Sequence, residues 1–183
     1  KDTDVGYNWY VFTTATGTNI RIEGLNNTNA TTGSSSIFTP NSSTVSNLST
    51  LASLNTTGST MLMYCFAPVE GFSSALSWEG NGSSDGVFIY TGFRVAWFFW
   101  KRTDSAANWY IYDSARSTFN VVNDNLEPNT TDAENTLTSM NVDFLSNGIK
   151  VRGSDGDING SGGDYIGFAF AENPFQANGG LAR

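Results

Sequence analysis

Histidine is absent from the 183 residues and cysteine occurs once. Without histidine, Ser-His-Asp and Cys-His catalysis and ordinary zinc sites are excluded, so only carboxylate chemistry stays open near neutral pH. The single Cys65 permits no disulfide within the chain, and stability must come from packing or assembly. Inside MLMYCFA it reads as a small buried apolar residue. Positive charge is also scarce: nine Lys and Arg face seventeen Asp and Glu, a net charge of −8 with no basic cluster. A phosphate backbone is therefore a disfavoured partner, and nucleic acid is not expected as the ligand. No apolar run approaches the roughly 18 residues of a bilayer span, and no basic-then-apolar leader opens the chain, so membrane insertion is not expected.

What the chain does contain is a repeat. Its opening KDTDVGYNWYVF returns one hundred residues later as KRTDSAANWYIY, with six of twelve positions identical: Lys1/Lys101, Thr3/Thr103, Asp4/Asp104, Asn8/Asn108, Trp9/Trp109 and Tyr10/Tyr110. At about one chance match in twenty per position, duplication is the explanation. Further on, LNNTNA (25–30) resembles LEPNTTDA (126–133), the second copy carrying two extra residues. Asn55/Asn159, Gly58/Gly162, Phe66/Phe170 and Ala67/Ala171 also match. The expected organisation is a first β module over 1–72, a Gly/Ser-rich connecting loop over 73–86, and a second, complete module over 87–183, the two able to form one joint domain. VFIYTGFRVAWFFWKR precedes the second copy and has no counterpart before Lys1. The first module is thus expected to lack its N-terminal strand, which would lie upstream in a longer precursor or come from a neighbouring subunit.

No stretch sustains a 3.6-residue apolar period, whereas short runs rich in Val, Ile, Tyr, Phe and Trp recur between Gly, Asn, Ser and Asp clusters. Strands are predicted over 9–13, 19–23, 60–67, 87–91, 95–102, 109–114, 143–145, 149–152 and 165–171. LSNG joins two of them as a hairpin. TDAENTL predicts one helical turn capped by Thr131 or Asp132. The fold class is all-β, an antiparallel β-sandwich of concanavalin or jelly-roll type built from two repeats. Trp97, Phe98, Phe99 and Trp100 leave no polar face on their strand, which must be central or covered by another chain. The Asn, Thr and Ser-rich section between Thr13 and Leu62 reads as loops or edge strands.

Two motifs invite chemistry. In SDGDINGSGGD, Asp155, Asp157, Asn159 and Gly160 occupy positions 1, 3, 5 and 6 of a calcium loop, but position 12 is Ile166 where a bidentate Glu belongs. A structural turn is the competing reading, and no other cofactor is implied. SWEGNGSSDG places Trp78, Asn81 and Asp85 on a Gly-rich loop. Sugar recognition combines an aromatic face with planar hydrogen-bonding groups on loops carried by rigid sheets, so these three are the candidate ligand residues, against an ordinary connector. Glu79, Asp85, Asp113 and Glu172 are the acids that a glycosidic mechanism could pair, though such pairing is a spatial matter. Eight N-x-Ser/Thr sequons, at Asn26, Asn29, Asn41, Asn47, Asn55, Asn81, Asn129 and Asn159, follow from a composition rich in Asn, Thr and Ser.

With GNGSSDGVFIYTGFRVAWFFWKRTD, NWYIYDSAR, FNVV, DFLSNGIKVRG, INGSGGDYIGFAFAENPF and the terminal AR in view, the chain resembles the C-terminal region of bacteriophage tail-fibre and related virion proteins. Resemblance is dense from Met61 onward and thinner over 1–13. It implies a repeated concanavalin-like or SPRY-like β-sandwich module in a virion. Together with the duplicated modules and the acidic surface without histidine, it leads to the expectation of a tail-fibre or spike module whose partners are other copies of the chain, other virion proteins and host-surface carbohydrate bound without catalysis. A capsid decoration or fibre-shaft role with no glycan, and a carboxylate-dependent glycan depolymerase, are the alternatives.

Overall fold

The computed structural model describes residues 1–13, 15–16, 20–34, 38–40, 46–48 and 52–174. In chain order the elements are β1 (Tyr10–Thr13), β2 (Ile20–Glu23), β3 (Thr31–Ser34), β4 (Phe38–Pro40), β5 (Ser46–Leu48), α1 (Ala52–Asn55), β6 (Ser73–Glu79) and β7 (Phe88–Tyr90). They continue with β8 (Val95–Arg102), β9 (Trp109–Asp113), β10 (Asp124–Leu126), β11 (Asn135–Thr136), β12 (Val142–Leu145), β13 (Gly148–Val151), α2 (Gly156–Asn159) and β14 (Asp164–Ala171). The protein is all-β, its strands paired antiparallel in four sheets. The largest has the order β11-β10-β9-β8-β14-β6; a second is β12-β13-β7, a third β1-β2-β3, and β4 pairs with β5.

Alternation along β8 decides the architecture. Phe98 and Trp100 point to one side and are fully buried, while Trp97 and Phe99 on the other side are half-buried. The first side joins a core drawn from the six-stranded sheet (Leu76, Phe98, Trp100, Tyr110, Tyr112, Ala169) and from β12-β13-β7 (Ile89, Val142, Phe144, Ile149, Val151). On the second side, Phe99 stacks on Trp109 at 4.7 Å between centroids, and these two meet Ile166, Ile22, Val11 and Leu25 in a smaller cluster. Of the two expected arrangements the structure shows the first: β8 is central, and Phe99 on its outer face packs with Val11 of β1 and Ile22 of β2.

Several expectations are corrected. Residues 73–79, expected to be part of a connecting loop, form edge strand β6, paired with β14 from Asp164↔Glu79 to Phe170↔Ser73. Leu76 is buried and Trp78, two residues on, packs against the same core, an alternation that the surrounding serines obscure. The helical turn expected over TDAENTL is absent; Asn135 and Thr136 instead pair with Asn125 and Asp124, aided by the Thr136 hydroxyl bonded to Asp124 at 2.7 Å. Residues 60–67 are not a strand. Thr3, Asp2 and Lys1 pair with Thr60, Met61 and Leu62, and the backbone of residues 63–68 finds no ladder partner among the described residues. A strand without a neighbour cannot close its hydrogen bonds, so 62–68 runs over the surface and Cys65 is exposed, not buried. Part of the predicted strand over 19–23, and the closing Leu-Ala-Arg, lie outside the described residues.

Candidate functional site

The two motifs that the sequence presents separately form one unit. Asn159 is wholly buried at the end of α2. Its Nδ2 donates to Asn81 Oδ1 (2.9 Å), Ser83 O (2.8 Å) and Gly153 O (3.1 Å), and its Oδ1 accepts from Asn81 N (3.0 Å). Gly80 exchanges backbone bonds with Gly163 and Gly162, and a Cβ at Gly80 would stand 2.3 Å from Gly160 O, so only glycine fits there. The loop over 80–86 is thereby pinned onto the 155–163 turn.

The carboxylates of that turn have structural partners. Asp155 caps α2 by accepting from Asp157 N and also accepts from Ser139 Oγ (2.9 Å). Asp157 accepts from the Tyr110 hydroxyl at 2.6 Å, and burial together with this bond pushes the Tyr110 phenol well above its ordinary value. Asn159 turns its donors, not its oxygen, toward the neighbouring carbonyls. Among the described residues no group of three or more His, Cys, Asp or Glu is placed to hold a metal ion. Asn159 as a sequon is enclosed, which excludes glycan attachment in the folded chain.

Of the candidate ligand residues, Asn81 and Asp85 are exposed, and Trp78 is turned into packing. Its indole stacks on Tyr165 at 5.2 Å and 10°, and Nε1 donates to Ile158 O (3.0 Å). Exposed aromatics near this loop come instead from β7. Ile89 enters the core, which sends Phe88 and Tyr90 outward, 46% and 67% exposed. Opposite them in register lie Lys150 and Gly148 of β13. Lys150 Nζ reaches Asp85 at 2.7 Å and Gly86 O, and this bond holds the Asp85 carboxyl below the usual range. Asp143, the register partner of Lys150, pairs with Arg152 at 2.6 Å. The result is an exposed surface on which two aromatic side chains lie beside the Asp85–Lys150 ion pair. Sequence reading missed Phe88 and Tyr90; the FIY alternation separates them from Ile89, but Phe and Ile both suit a core, so the alternation alone does not say which side faces out.

The other proposed acids sit apart in ion pairs, Asp113 with Arg116 and Glu172 with Arg94 (2.7 Å), while Glu79 ends β6 opposite Asp164. Among the described residues a shallow groove of about 540 Å³ is lined by Asn27, Thr28, Asn108 and residues 128–132. Two sets of matching hydrogen bonds lie at this joint and around Trp9. Trp109 N donates to Asn129 Oδ1 (2.8 Å) and Asn129 Nδ2 to Asn108 Oδ1 (2.8 Å); Trp9 N donates to Asn26 Oδ1 (3.0 Å) and Asn26 Nδ2 to Asn8 Oδ1 (3.0 Å). Thr103 donates N and Oγ1 to Asp164 O as Thr3 donates both to Thr60 O, and Asp104 accepts from Asp164 N as Asp4 accepts from Thr60 N.

Lys101, fully buried at this joint, donates Nζ to Ala107 O and Thr28 O and stands 5.8 Å from the Trp109 ring centre. Burial pushes its pKa down to about 8. From about pH 8 upward the folded chain sheds this proton while the unfolded chain holds it to about pH 10.4, so stability rises across that window. Tyr110, Tyr112 and Tyr165 are raised by burial, so above about pH 10 only the unfolded chain ionises them and stability falls. Urea midpoints at about pH 7, about 9 and about 11 are expected to peak at the middle value; a monotonic fall would refute the Lys101 placement.

These features define an all-β protein of antiparallel sheets with a surface platform, and among its described residues no helix is long and apolar enough to cross a membrane. The chain belongs to the family DUF7483, a domain of unknown function, whose model matches residues 1–174. No curated protein and no solved structure matches it.

Proposed function

We propose that the chain is a structural protein of a bacteriophage virion, a fibre- or spike-type module that holds carbohydrate on the host surface without altering it. The observation that carries the binding function is the pair of outward aromatic faces, Phe88 and Tyr90, beside the Asp85–Lys150 ion pair. Sugar rings stack their C–H faces on such rings, and charged groups at the edge take the hydroxyls. Two copies of one β unit, with the six- and three-stranded sheets closing on a shared core as a concanavalin- or jelly-roll-type sandwich, fit the resemblance to tail-fibre modules. The paired hydrogen bonds of Asn8, Trp9 and Asn26 with those of Asn108, Trp109 and Asn129 support the duplication.

Glycan-array binding by the folded chain, with calcium and with chelator, tests the reading. Binding is expected in both conditions, and Tyr90→Ala is expected to remove it with little effect on folding, because that ring is mostly exposed. Retained binding in Tyr90→Ala, or none by the wild type, overturns the site. Loss on chelation alone would bring calcium back to the Asp155 turn.

A second reading, a decoration or shaft protein with no glycan, draws on a different observation: the apolar surface formed by Leu62, Met63, Tyr64 and Phe66. For the depolymerase reading, Asp113 and Glu172 would have to cleave polymer, and polymer left intact by the wild type removes it.

A further inference from the structure

The β12-β13-β7 sheet continues past its third strand. Val122 and Val142 exchange both backbone bonds (2.7 and 3.1 Å). Two residues away the Asn120 amide imitates a strand partner, its Oδ1 accepting from Phe144 N (2.9 Å) and its Nδ2 donating to Phe144 O (3.2 Å). Residues 120–122 therefore lie along the edge of β12 opposite β13. Side chains alternate across this layer: Val122, Phe144, Ile149 and Ile89 enter the core, and their neighbours face outward.

Register then orders the outer face. Val121 stands beside Asp143, Asp143 is opposite Lys150, and Lys150 is opposite Phe88. One pair further along, Leu145 is opposite Gly148 and Gly148 opposite Tyr90. The Phe88 ring lies across Gly148, where a Cβ would stand 2.6 Å from its Cζ, so glycine keeps that part of the face low. At the far border Phe119, which precedes Asn120, is 83% exposed and Val121 42%. Apolar side chains thus occupy both borders of one layer, separated by three strand spacings, about 14 Å. Between the borders the charges are matched, Lys150 with Asp85 and Arg152 with Asp143. An anionic polymer would have to break an ion pair to find a cation here, and a chain of net charge −8 repels it.

We propose that this face holds a neutral polysaccharide across its strands, with Phe88 and Tyr90 under one sugar ring and Phe119 under another further along the same polymer. The ligand is an extended stretch of polymer and not a single terminal sugar. This inference rests on the glycan reading above and adds to it a second contact and a length. Once the first ring is seated the second contact is intramolecular, so affinity rises with oligomer length until both borders are reached and then levels off. The separation of the borders sets that length, because one sugar ring cannot span it.

Calorimetry with glucose, mannose, galactose and N-acetylglucosamine oligomers of one to six units tests the proposal, with hyaluronan as the anionic control. In the series that binds, affinity is expected to rise about tenfold between disaccharide and tetrasaccharide, the worth of one further aromatic contact, and hyaluronan is expected not to bind. Phe119→Ser, at a side chain that is mostly exposed, is expected to keep the disaccharide affinity and erase the rise. Tyr90→Ala is expected to erase binding at every length. Affinity that is flat with length in the wild type, a rise that survives in Phe119→Ser, or a preference for hyaluronan overturns the extended site. Flat affinity that still depends on Tyr90 leaves the first aromatic contact standing and removes only the extension, whereas no binding at any length removes both. A wild type that dimerises in sedimentation and becomes monomeric as Phe119→Ser would make this face a contact between copies of the chain, which also overturns it.

Discussion

Asn159→Ala is expected to cost about 3–5 kcal/mol of unfolding free energy, read from urea denaturation. The side chain is buried and serves one amide donor and three oxygens, of which Gly153 O is met in a buried contact. Leaving a buried polar group unpaired costs about 1–3 kcal/mol, so three or four such groups dominate any gain from removing the amide. Against a total stability of about 5–15 kcal/mol this is a large fraction. Asn159→Asp is expected to be no milder, because a carboxylate would face Ser83 O, Gly153 O and Asn81 Oδ1 with nothing to donate. Amide exchange in residues 80–86 should accelerate in both variants, and the Asp85–Lys150 pair should loosen with them. A loss below about 1 kcal/mol would mean that solvent replaces the side chain and that the loop is not pinned as described.

Trp109→Ala and Trp9→Ala are expected to differ sharply although both residues lie in an Asn-Trp-Tyr sequence and donate their backbone N–H to an asparagine, Asn129 and Asn26. Trp109 is 1% exposed, stacks on Phe99 and donates to Gly24 O, so its truncation leaves a cavity and an unpaired carbonyl between the halves, about 3–5 kcal/mol. Trp9 is half-buried and, among the described residues, stacks on Tyr64 at 5.9 Å, and its loss should cost about 1 kcal/mol. Urea midpoints compare the two, and limited proteolysis reports whether the first half detaches in Trp109→Ala. Equal losses would contradict the different burial of the two rings.

The surface proposed to hold glycan shows how far sequence reading reaches. SWEGNGSSDG is legible as a structured loop, and Asn81 and Asp85 do lie on its surface. Trp78 misleads, because tryptophan suits both a sugar face and a core, and only the presence of Tyr165 beside it selects the second. Phe88 and Tyr90 were readable as a strand but not as a surface. Which side of a strand faces out depends on the sheet packed behind it, here through Ile89.

The sequence by itself determined the all-β class, an aromatic strand with no polar face, the hairpin at LSNG and the recurrence of Lys, Thr, Asp, Asn and Trp in two places, because alternation, turn residues and sequence recurrence are local patterns. Only the tertiary structure decided that residues 73–79 close a sheet edge, that Cys65 is exposed and that Asn159 ties together loops 78 residues apart. It also decided that Lys101 and Trp109 are enclosed while Lys1 and Trp9 are not. Identical residues meet different fates there because burial and hydrogen bonding belong to the neighbours that a segment finds, and those neighbours are distant in the chain.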